Sequence, residues 1–147
     1  MITYEEYETK TGGRLDALDV TEEVGEMVAA SGISHGSALV FSPHTTCCVL
    51  VANGDRSMVG ALEKAMRLLE PADGYYEHDD FEIRTENLVE DEPENAPAHL
   101  VNVFAGRTSE VIPVVGGSLA LGAEQRVYFI ELCSSRLRRY CIQVLGE

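Results

Sequence analysis

Lysine is nearly missing from this 147-residue sequence: Lys10 and Lys64 stand beside nine arginines, and 25 acidic residues bring the formal net charge to −14. Such a field repels a phosphate backbone, so nucleic acid is not an expected partner. No run approaches the ~20 consecutive apolar residues of a membrane-spanning helix, and no membrane partner is expected. The opening stretch from Met1 to Lys10 has neither the basic start nor the apolar core of an export signal, so the expected location is cytoplasmic. Cys47, Cys48, Cys133 and Cys141 form no CxxC pair. In a reducing compartment such thiols pack as small apolar residues, and neighbours Cys47 and Cys48 on a strand point to opposite faces. No GxGxxG joins a strand to a helix, which removes a dinucleotide-binding fold, and no HExxH supplies closely spaced zinc ligands. Repeats, low-complexity tracts and linkers are also lacking.

What remains is an ordinary globular composition, 45% hydrophobic and 24% charged, on a chain whose length suits one compact domain over residues 1–147. Residues 2–10 alternate around Ile2, Tyr4 and Tyr7 and read as an edge strand with a wet, glutamate-bearing face. Thr21 precedes Glu22 and Glu23 as a helix start, and Val24, Met27 and Val28 recur at helical spacing until Gly32. Residues 36–42 and 46–51 are short apolar runs of strand formers. Pro43 between them cannot donate to a sheet ladder, so a break is expected beside His44. Asp55 or Ser57 caps the next helix, whose stripe of Val59, Leu62, Met66 and Leu69 runs to a stop at Pro71. Residues 72–95 form a polar loop carrying His78, and loops of that length usually serve function. Asn95 as cap and Pro97 in the first turn start a helix that carries His99, and Leu100, Val103 and Phe104 lead to its end at Gly106. Strands follow over residues 110–115, 118–121, 125–133 and 139–145, the first two joined by a Gly116-Gly117 turn. The fold class is α+β: a mainly antiparallel sheet or β-sandwich with a few packed helices.

Histidine suits both proton transfer near neutrality and binding of borderline metals. His44, His78 and His99 occupy a strand break, a long polar loop and a helix start, whereas His35 sits in an exposed GISHGS turn. One reading brings the first three together, with Glu131, around a divalent metal, zinc or magnesium, that keeps a position open for water or substrate. The other leaves them as caps, turn residues and surface groups. Downstream, Arg136 and Arg138 share a face if extended, forming a guanidinium fork suited to phosphate or carboxylate, or else a salt bridge with Glu131. Thr45, Thr46, Asn53 and Asn95 add neutral hydrogen-bonding groups, and the free amides opening the Pro97 helix offer a place for an anion.

Taken in order, the segments FSPHTT, LLEP, YYEH, NAPAHL, AGRTSEVIPVVGGSLALGAEQ and ELCSSRLRR resemble the YjbQ-like family, the secondary thiamine-phosphate synthases, over nearly the whole chain. The resemblance implies a compact α+β fold on a mainly antiparallel β-sandwich, a homotrimer, and an enzyme that joins a pyrimidine-methyl pyrophosphate to a thiazole phosphate. A metal-dependent hydrolase and a non-catalytic trimeric module for a small phosphorylated molecule are the alternatives. Carried over by motif, the catalytic positions are His44, Thr45, His78, His99 and Glu131. The substrate-binding positions are Asn95, Gln125, Arg136 and Arg138, and the metal ligands are His44, His78 and His99. The chain departs from the family pattern at Gly54, Ala61 and Cys133, where carboxylates are usual, and at Glu124, where tryptophan is usual.

Overall fold

Strand β7 (Gln125–Glu131) decides how the layers stack, because it is apolar on both faces. Val127 and Phe129 point into one buried cluster and Tyr128 and Ile130 into another, as the two-residue period of a strand requires. A computed structural model describes residues 1–69, 74–104 and 107–147. In it β7 is the middle of a three-stranded sheet, between β2 (Ala17–Asp19) and β4 (Cys47–Asn53). A five-stranded sheet faces it, in the order β1 (Ile2–Lys10), β8 (Leu137–Gly146), β3 (His35–Phe41), β5 (Ser109–Val115) and β6 (Ser118–Leu119). Every ladder described is antiparallel. The first cluster fills the space between the sheets, joined by Val24, Met27 and Val28 of helix α1 (Thr21–Ser31). On the other face of the small sheet, Met66 of α2 (Ser57–Leu69) and Ala98 and Val101 of α3 (Ala96–Phe104) pack on Cys48, Tyr128 and Ile130.

The expected edge strand, the interruption around Pro43, and the opposite burial of Cys47 and Cys48 are all present. Gly116 and Gly117 both have positive φ, 59° and 76°, the pair of left-handed residues that a two-residue hairpin turn with the native strand twist needs. Several details differ from the sequence-based reading. Strand β2 is too short to leave a periodic signal. His35 begins β3 rather than lying in a turn, though it is exposed as expected. Thr21 lies inside α1 rather than at its cap: its hydroxyl donates to Asp19 and accepts from the Val127 amide, so it ties the helix to β7. The Asn95 side chain does not cap α3 either, for reasons that belong to the site. The stops placed at Pro71 and Gly106 lie outside the described residues.

Candidate functional site

The alternation that buries Val127 and Phe129 also turns Glu131 inward, and the same parity on β8 that buries Tyr140 and Ile142 turns Arg138 inward. The two meet at the end of the core between the sheets, 0% and 5% exposed. Arg138 grips Glu131 with both arms of its fork, Nε to Oε2 at 2.7 Å and Nη2 to Oε1 at 2.6 Å. The carboxylate also accepts the Cys133 amide at 3.0 Å and the Thr11 hydroxyl at 2.8 Å. Burial pushes the Glu131 carboxyl upward, but the Arg138 hydrogen bonds, the Cys133 amide and Thr11 outweigh it, so its pKa is lowered. Nη2 of Arg138 reaches on to Thr46 Oγ1 at 3.0 Å, fastening the turn after Pro43 to this pair.

That turn forms one wall of a cleft of about 260 Å³. Pro43, His44, Thr45 and Thr46 line one side; Asn95 and His99 come from the start of α3; Val89, Glu92 and Pro93 come from the long loop; Arg136 and Arg138 complete it. His44, half-buried, accepts the Arg139 backbone N–H at Nε2, 3.0 Å away. An imidazole nitrogen accepting a hydrogen bond is unprotonated, so the neutral ring carries its proton on Nδ1. Burial, with the Arg138 guanidinium behind it, lowers the His44 pKa. Burial and His78 do the same for His99, whose ring centroid lies 4.7 Å from that of His78.

The long loop is organised by two residues without a sequence signal. Arg84 donates to the His78 carbonyl at 2.7 Å, pairs with Glu92, and lies over the Phe81 ring at 5.7 Å. Asp79 accepts the amides of Asn95 (3.0 Å) and Ala96 (2.9 Å) and also contacts Nδ1 of His78 at 2.8 Å. An aspartate from sixteen residues upstream therefore caps α3 and already fills the anion position expected at that helix start. Asn95 turns its Nδ2 toward Cys133 Sγ at 3.4 Å, and its Oδ1 is buried without a hydrogen-bond partner among the described residues.

Several expected site residues thus converge, and some take other roles. His44, Thr45, Asn95, His99, Arg136 and Arg138 line one cleft, with Glu131 buried behind it and His78 against His99. Arg136 and Arg138 both line the cleft, and Arg138 forms the salt bridge with Glu131 that is the alternative to an arginine fork. Arg136 alone faces the cleft with no carboxylate partner among the described residues. Gln125 lies at the opposite end of β7, six residues or about 20 Å from Glu131, where its side chain accepts the Gly122 amide. As for a metal, among the described residues no three His, Cys, Asp or Glu side chains are arranged to hold one. His44 also does not fit a shared centre in this conformation: ligation through Nδ1 would move the proton to Nε2 and set it against the Arg139 N–H. Thr11, Arg84 and Asp79 were missed because their contacts depend on the tertiary fold.

Residues 5–147 match the family described as UPF0047 protein YjbQ-like. A UPF0047 protein of Archaeoglobus fulgidus is 33% identical over 136 residues, covering 92% of this chain and 96% of that one. One from Methanothermobacter thermautotrophicus is 30% identical over 143 residues, covering 97% and 92%. Among solved structures, a hypothetical protein of Aeropyrum pernix superimposes with a TM-score of 0.82 at 34% identity, covering 99% of both chains. A YbjQ-like protein of unknown function from Sulfolobus solfataricus gives 0.81 at 27% identity, covering 100% of this chain and 99% of that one.

Proposed function

The chain belongs to the UPF0047 YjbQ-like family, and on that premise we propose that its cleft binds a small phosphorylated molecule and acts as a secondary thiamine-phosphate synthase-like transferase. The reaction joins a pyrimidine-methyl pyrophosphate to a thiazole phosphate and releases pyrophosphate. The observation that supports this most is the charge balance of the cleft. In a protein of net charge −14, Glu131 is cancelled by Arg138, Glu92 by Arg84, and the lowered pKa values keep His44 and His99 neutral. Among the described residues Arg136 is left without a carboxylate partner, and a cation lining a cleft favours an anion.

When the bond to pyrophosphate breaks, its electrons pass to the leaving oxygen. In this proposal Arg136 and the Nδ1–H of His44, both from residues that line the cleft, are the donors that stabilise such developing charge. Thr45 adds a hydroxyl at the same wall. A divalent ion enters this proposal as a companion of the pyrophosphate rather than as a three-histidine centre. Cys133 stands where the family pattern has a carboxylate, so the alternative that deserves a test is binding without turnover.

A homotrimer belongs to the same proposal. Its support is the outer face of the five-stranded sheet, where Ile2, Tyr4, Val111 and Leu145 are 68%, 54%, 60% and 43% exposed. Apolar side chains exposed on one sheet face are a feature that association would cover. Sedimentation or light scattering should give three times the monomer mass, and a monomer at micromolar concentration would remove the trimer. Purified protein supplied with both substrates should form thiamine phosphate, and His44→Ala and Arg136→Ala should each reduce it by about 10²-fold. Turnover that survives both substitutions would refute the assignment, and pyrophosphate binding with no product would favour the binding module.

A further inference from the structure

Thr11 sits just past the end of β1 and is 1% exposed. It makes a closed set of contacts with the segment that carries Arg136. Its N–H donates to the Arg136 carbonyl at 2.9 Å, its Oγ1 accepts the Arg136 N–H at 3.0 Å, and its carbonyl accepts the Ser135 hydroxyl at 2.6 Å. The single hydroxyl proton then goes to Glu131 Oε2 at 2.8 Å; the Arg136 carbonyl, 3.1 Å away, already holds the Thr11 N–H. One hydroxyl therefore joins the buried Glu131–Arg138 pair to the backbone of the residue whose guanidinium faces the cleft.

We propose that Thr11 is a positioning residue for anion binding: it fixes the backbone of Arg136 relative to the buried ion pair, so that the Arg136 guanidinium is held at the cleft before a phosphorylated ligand arrives. The geometry explains why a hydroxyl is needed. The position must accept a backbone N–H and donate to a carboxylate at once, from a side chain that is itself buried. Serine can do both, whereas valine has the same shape and can do neither. Without the hydroxyl, the Arg136 N–H loses its acceptor and the segment is held by the Thr11 N–H and carbonyl alone. Arg136 then has to be ordered by the ligand itself, and that ordering weakens binding.

This inference rests on the reading of the cleft as an anion site, and two measurements separate the two. The first is amide hydrogen exchange at Arg136 in the ligand-free protein. Protection should be present in the parent and in Thr11→Ser and lost in Thr11→Val, and equal protection in Thr11→Val would overturn the role of Thr11 whatever the cleft binds. The second is titration with inorganic pyrophosphate. The parent and Thr11→Ser should bind alike, and Thr11→Val should bind about tenfold more weakly, the size expected for one lost hydrogen bond to a charged group's support. Equal affinity in Thr11→Val would also overturn the proposal. No binding by the parent would overturn the anion-site reading and leave the exchange result to decide on Thr11. If Thr11→Val does not fold, recovery of both protection and binding in Thr11→Ser, against their loss in Thr11→Ala, serves as the same test.

Discussion

Replacing Glu131 by glutamine should be among the most damaging single changes in this protein. The carboxylate is 0% exposed and receives four donors: two from Arg138, one from the Cys133 amide and one from the Thr11 hydroxyl. Glutamine keeps the shape but removes the charge and presents an NH₂ where one oxygen had accepted donors, leaving Arg138 buried and uncompensated. Breaking one side of a buried pair costs about 3–5 kcal/mol. At about 2–4 °C per kcal/mol for a chain of this length, the melting temperature should fall by roughly 6–20 °C. Arg138→Met should fall in the same range. The double variant Glu131→Leu, Arg138→Met removes both charges together and should recover most of the loss, since an apolar replacement of a whole buried pair is often neutral or stabilising. Calorimetry or denaturant unfolding at matched protein concentration measures all three. A loss below about 1 kcal/mol in Glu131→Gln, or additive losses in the double variant, would refute the claim that the pair is dry and mutually dependent.

Asp79→Ala removes the acceptor of the Asn95 and Ala96 amides and should lower stability by about 0.5–2 kcal/mol, whereas Asp79→Asn retains an acceptor oxygen and should lose less; thermal unfolding of the two compares them. Acid should act in two windows. His44 and His99 have lowered pKa values, so below about pH 6.5 the unfolded chain takes up protons first and stability falls as pH falls. Glu131, also lowered, contributes stability that is complete above the ordinary glutamate range near 4.3 and is lost as pH falls through its folded value. Unfolding free energy measured from pH 7 to 3 should show both declines. His44→Gln with His99→Gln should remove the first and leave the second.

The strands and helices were legible wherever periodicity was strong and local. Strand β1, the Gly116-Gly117 hairpin and the break at Pro43 follow from residues within a few positions of one another, and the structure places them accordingly. The cleft was legible only as a set of residues without a geometry. That Glu131 takes Arg138 rather than Arg136 depends on the inward parity of two strands in different sheets, which no spacing of 131, 136 and 138 reveals. The cap of α3 illustrates the same limit: Asn95 has the right type and place, yet Asp79 arrives from the folded loop and takes both amides. The engagement of His44 Nε2 by the Arg139 amide, a contact across 95 residues, likewise has no signal in the sequence. Gln125 shows the converse, a motif residue that the strand carries to the far end of the sheet.

Arg136 is the cation proposed to receive a phosphorylated ligand. Isothermal titration of inorganic pyrophosphate into the full chain, beside Arg136→Ala and Arg139→Ala, tests this most directly. Arg139 is exposed, weakly paired with Glu6 at 3.7 Å and not part of the cleft lining, so it serves as the charge-matched control. The prediction is saturable binding by the parent and by Arg139→Ala, and a loss of at least about tenfold in Arg136→Ala, as expected for removing a charged hydrogen-bonding partner. Equal binding by all three, or equal weakening in both variants as a simple effect of net charge, would contradict it.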